Sequence, residues 1–98
     1  MAHPSSAQAN KSVHLIISGR VQGVNFRWFV LQNAEALSLT GFARNLPDGT
    51  VEVIAYGEKE NLERLHEACR RGPRAGRVEE VRVEWRDDDS PPAGFDIG

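Results

Sequence analysis

Between Ser12 and Ser18 the chain alternates: Val13, Leu15 and Ile17 fall on one side, His14, Ile16 and Ser18 on the other. A period of two predicts a strand, and an isoleucine on the second side predicts a central one, partly covered on both faces. From Phe26 to Leu37 the period lengthens to that of a helix, with Phe26, Phe29 or Val30, Asn33 or Ala34, and Leu37 on one stripe. Trp28 lies off that stripe and is expected to be partly exposed, near the mouth of the loop that precedes the helix. Thr40 to Leu46 reads as a strand, Pro47-Asp48-Gly49 as a tight turn and Thr50 to Tyr56 as the return strand. Glu58 to Arg71 again has helical spacing, with Leu62, Leu65 and Cys69 inward, and Gly72-Pro73 stops it. Val78 to Trp85 reads as an edge strand with Val81, Val83 and Trp85 facing the core, and Phe95 to Ile97 as a short final strand. The order β-α-β-β-α-β predicts an α+β, ferredoxin-like sandwich, an antiparallel sheet with two helices on one face.

Composition narrows the partners. The chain has 98 residues, 40% hydrophobic and 27% charged, enough for one domain with a real core. Residues 12–98 are taken as that domain and residues 1–11 as a flexible polar tail without the apolar stretch of a secretory signal. Twelve basic against 14 acidic residues give a formal charge of −2. General binding to nucleic acid or to a membrane surface needs a basic face, so neither partner is expected. Cys69 is the sole cysteine, which excludes an internal disulfide and suits a reducing, cytoplasmic setting. No heptad seam suggests a coiled coil, and a monomer is expected.

The stretch Gly19-Arg20-Val21-Gln22-Gly23-Val24-Asn25-Phe26-Arg27 joins the first strand to the first helix. A glycine-containing turn into a helix can gather backbone N–H groups around one concavity, to which the unpaired amides of the first helical turn add. Such a nest attracts anions without a lysine cluster. Arg27, in that first turn, can fold its planar fork over the same concavity. Asn25 stands where a helix N-cap is expected, although a capping side chain would compete with an anion for the same donors. From spacing alone, a glycine-rich connector with a solvated Arg27 is the commoner outcome. His14, a lone histidine in a strand, is read as structural, and the Asp87-Asp88-Asp89 run as a solvated loop. Neither a Walker A loop nor a dinucleotide fingerprint is present.

The same stretch resembles the signature of the acylphosphatase family. A second block resembling the family follows at Gly41-Phe42-Ala43-Arg44-Asn45-Leu46-Pro47-Asp48-Gly49-Thr50-Val51-Glu52, and a weaker third at Gly72-Pro73 with Ala75 and Val78. The blocks fall in family order and span the chain from about Val13 to Ile97. The resemblance implies the ferredoxin-like fold with a short fifth strand, and hydrolysis of an acyl phosphate to a carboxylate and inorganic phosphate. It implies Arg27 and Asn45 as the catalytic residues. The phosphoryl group would be held by the amides of Gln22, Gly23, Val24, Asn25 and Phe26, with no cofactor and no metal. Inorganic phosphate is then both product and competitive inhibitor. Read without the resemblance, Asn45 is a turn-flanking residue; Phe42 stands where the family often has tryptophan.

The residues suit that chemistry. No paired carboxylates, no Ser-His-Asp arrangement and no metal-ligand spacing occur within a motif. A phosphoanhydride-like bond, whose leaving group is already a stable carboxylate, can be cleaved largely by charge stabilisation and positioning. Gly98 is a candidate partner for Arg27 in the resting site. Two alternatives stand beside this reading. One is an acylphosphatase-like module of a larger carbamoyl-phosphate-using protein that matures hydrogenases; the other is a non-catalytic ferredoxin-like binding module.

Overall fold

The computed structural model describes residues 11–87 and 91–98. The elements run β1 (Lys11–Arg20), α1 (Phe26–Ala36), β2 (Thr40–Asn45), β3 (Val51–Gly57), α2 (Lys59–Arg71), β4 (Arg77–Asp87) and β5 (Phe95–Ile97). Together they form a five-stranded sheet in the order β4-β1-β3-β2-β5, antiparallel except for the parallel pairing of β2 with β5. This is the ferredoxin-like βαββαβ arrangement with a short added strand. Of the tail read over residues 1–11, residues 1–10 lie outside the described residues, as do Asp88 and Asp89 of the acidic run, whereas Lys11 begins β1.

The alternation in β1 sorts as its period requires. Val13, Leu15 and Ile17 are fully buried, together with Val51, Val53 and Ala55 of β3 and with Val30, Leu62, Leu65 and Cys69 of the helices. Burying this one face is what drives the sandwich together. On the opposite face the register sets Arg44 of β2 across from Glu52 of β3. Glu52 is only 9% exposed there, and both its oxygens are engaged. One accepts from Arg44 Nε at 2.6 Å; the other lies 2.7 Å from His14 Nε2. His14 is structural, as read, with a carboxylate partner that sequence spacing could not supply.

Several boundaries move. β1 runs on through Gly19 and Arg20, which were expected in the loop. A register shift between Ser18 and Gly19 keeps the strand paired with β4, and a Cβ at Gly19 would lie 2.2 Å from the Arg77 carbonyl oxygen. Gly19 therefore serves close backbone packing, not anion approach. β4 extends to Asp87, so Arg86 and Asp87 are strand residues, with Asp87 held by Lys11 Nζ at 2.8 Å. Trp85 departs from its inward expectation: it is 39% exposed, and Lys59 Nζ sits 5.9 Å from the centre of its ring. The strand has there reached the start of α2, and the indole meets the Lys59 cation instead of the core.

Candidate active site

Three segments converge at one end of the sheet. The loop from Val21 to Asn25 leaves β1, α1 begins at Phe26, and β2 ends at Asn45. Val21, Gly23, Asn25, Phe26, Arg27, Trp28, Asn45 and Ile97 line one hollow of about 300 Å³. Arg27 and Asn45, 18 positions apart in the chain (45 minus 27), thus share a cavity. Gly23 takes a positive φ of 76° with open space where a Cβ would stand, as a surface that admits a ligand requires.

The loop holds unspent donors. Among the described residues, the N–H groups of Gln22, Gly23, Val24, Asn25 and Phe26 make no well-formed hydrogen bond outside the regular elements, and residues 22–25 form a turn that leads directly into α1. Orphan amides at a helix N-terminus favour an anion by direct donation and by the helix dipole. Asn25 corrects one expectation. It occupies the N-cap position, but with φ 62° and ψ 31° and no side-chain capping bond. The left-handed turn reverses the chain into α1, and asparagine tolerates that conformation better than most side chains. The competition between cap and anion therefore does not arise.

Gln22 and Val24 take other places. The Gln22 side chain reaches back to the hairpin, where its Nε2 donates to the carbonyl oxygens of Leu46 at 2.8 Å and Thr50 at 2.9 Å. It joins the loop to the segment that follows Asn45. Val24 packs against the core. Arg27 Nη1 donates to the backbone oxygen of Gly98, the partner expected for it. Gly98 N in turn donates to Ala43 O at 2.9 Å, so β5 links Arg27 to β2. Asn45 is exposed, and its side chain forms no hydrogen bond among the described residues. Ile97, like Val21, is a lining residue that the site assignment from sequence missed. Its only sequence signal was an apolar residue in a short terminal strand, and the parallel pairing of β5 with β2 is what brings it to the site.

Other reactive groups stand apart. Cys69 is fully buried, and burial pushes its thiol up to about 12, so it is a core residue and not a nucleophile. Among the described residues no three His, Cys, Asp or Glu side chains gather as a metal site would require. Among the described residues no helix is long and apolar enough to cross a membrane. The hollow therefore offers a glycine-containing loop at a helix N-terminus, one guanidinium and one carboxamide, a set equipped for charge stabilisation and orientation.

The sequence profile of the acylphosphatase family matches residues 13–97. An acylphosphatase of Chlorobaculum tepidum is 51% identical over 74 residues, covering 76% of this chain and 80% of its own. One from Pelotomaculum thermopropionicum is 45% identical over 84 residues, covering 86% and 91%. The crystal structure of acylphosphatase from Bacillus subtilis matches the fold with a TM-score of 0.87 at 33% identity, over 90% of this chain and 98% of that one. Sequence and fold agree over nearly all of the described residues: this chain belongs to the acylphosphatase family, enzymes that hydrolyse acyl phosphates.

Proposed function

We propose that the loop of residues 22–26 and Arg27 hold the phosphoryl group of an acyl phosphate, while Asn45 orients the attacking water. The observation that carries this reading is the shared hollow, in which unpaired loop amides, Arg27 and Asn45 meet. The water oxygen bonds to phosphorus as the bond from phosphorus to the acyl oxygen breaks, and the carboxylate leaves with that electron pair. Charge shifts across the phosphoryl oxygens in a loose transition state, which fixed donors stabilise without reorganising. The water's proton passes to a phosphoryl oxygen, since no protein base lines the hollow among the described residues. Inorganic phosphate, the product, occupies the same loop and competes with substrate. The enzyme acts as a monomer of one domain, residues 12–98, and the buried lone thiol suits a cytoplasmic setting.

The two side chains differ in what each loses when removed. Arg27 faces an anion throughout the reaction, so Arg27→Gln weakens inhibition by phosphate as well as lowering kcat. Asn45 belongs to the reacting geometry, so Asn45→Ala lowers kcat by about 10²-fold or more with phosphate inhibition unchanged. Steady-state kinetics on benzoyl phosphate, with both variants shown to melt cooperatively, tests this. A folded Asn45→Ala protein with normal kcat would return Asn45 to a turn-flanking role.

A further inference from the structure

Among the described residues the exposed large hydrophobic side chains are Trp28, Trp85 and Ile97. Two of the three, Trp28 at 52% and Ile97 at 39% exposure, line the hollow that also holds Arg27 and Asn45. They arrive from different elements, α1 and β5, so one apolar stripe does not account for both. α1 buries Phe26, Val30 and Ala34 and has no packing need for an indole at position 28. A single exposed apolar side chain needs no explanation; two converging on one anion site do.

Charge supplies the second half of the argument. Arg27 is the one charged side chain among the described residues lining the hollow, and its fork is committed to the phosphoryl group and to Gly98. An acyl chain carrying its own carboxylate or phosphate meets no second cation there. An uncharged, apolar acyl group meets an aromatic face and a branched aliphatic side chain, both half in water and ready to be covered.

We propose that Trp28 and Ile97 form the acyl-group platform of this enzyme, selecting acyl phosphates with uncharged apolar acyl groups, aromatic ones above all. Small acyl groups leave the platform wet, and acyl groups with a second negative charge leave that charge unpaired. The proposal rests on the phosphoryl group lying in the 22–26 loop beneath Arg27.

The test compares kcat/KM for benzoyl, acetyl and succinyl phosphate, with inhibition by inorganic phosphate as a separate report on the loop. In Trp28→Ala the benzoyl-to-acetyl ratio falls by roughly tenfold, the scale on which apolar pockets discriminate. Trp28→Phe keeps most of the ratio, and Trp28→Arg raises succinyl phosphate relative to benzoyl phosphate. Ile97→Ala lowers the benzoyl-to-acetyl ratio in the same direction and stands in if a Trp28 variant fails to fold. Ratios unchanged in both alanine variants, with phosphate inhibition intact, overturn the platform and leave the loop assignment standing. Phosphate inhibition unchanged in Arg27→Gln overturns the loop assignment, and the platform with it.

Discussion

Asn25 shows how one residue can be placed correctly and still be misread. Its position before α1 pointed to a side-chain cap, yet its contribution lies in the backbone, which turns left-handed there. Asn25→Gly should therefore be at least as stable as the native chain, because glycine adopts that conformation freely, whereas Asn25→Ala should lose about 1 kcal/mol, because alanine lacks the short polar side chain by which asparagine tolerates it. Urea denaturation of the two variants decides it; an Asn25→Gly protein weakened as much as Asn25→Ala would leave the left-handed backbone without that part. That Arg27 and Asn45 line one hollow agrees with the expectation from two contiguous runs whose order carries the resemblance. The partners of Gln22, His14 and Ile97 were not legible in the sequence, since each depends on strand register between distant segments: Gln22 with Thr50, His14 with Glu52, Ile97 with Ala43. No local pattern encodes such pairings.

At the scale of elements the periodicities placed every strand and helix, and the errors lay at their ends. Gly19 and Arg20 read as loop because a glycine usually breaks a strand; here a bulge against β4 absorbs it. The element contacts also explain how the site is held together, because the Gln22 amide spans from the loop to both ends of the β2–β3 turn. Gln22→Ala should lower stability by about 1–3 kcal/mol for the lost hydrogen bonds and should depress kcat as loop and hairpin drift apart. Gln22→Glu should be worse, since a carboxylate would face two carbonyl oxygens and repel the anionic substrate. Denaturation and kinetics on the same preparations provide the check; a Gln22→Glu enzyme as active as the native one would remove the side chain from any positioning role.

For the whole molecule, acid should act through the reverse face of the sheet. Burial raises the Glu52 carboxyl, but hydrogen bonds from Arg44 and His14 and their charges outweigh it, leaving the group below its ordinary value of 4.5. A carboxylate depressed in the folded state stabilises fully above 4.5, and that stabilisation drains away as pH falls through the lower folded value. Native protein should lose stability in that acid window, and Glu52→Gln should flatten the loss while being less stable at neutral pH. Melting temperatures across pH 3–7, a range of roughly four units around the carboxylate values, would show parallel curves if Glu52 had no such part. If the proposed amides and Arg27 meet the phosphoryl charge, turnover should likewise survive chelation; a loss restored by magnesium would contradict that.

The strand order also has a consequence in time. β1 lies between β3 and β4, so Leu15 is matched with Val53 on one side and with Val83 on the other. Within this domain β1 thus finds its second neighbour, β4, only after both helices, β2 and β3 have been made. Until then Val13, Leu15 and Ile17 have no complete sheet to join. Pairings between such distant segments close large loops before any contact rewards them, which places folding toward the slow, millisecond-to-second end for small domains. A nascent chain stalled before β4 would present an apolar strand paired on one side only, the form of this enzyme most exposed to aggregation and to chaperone capture.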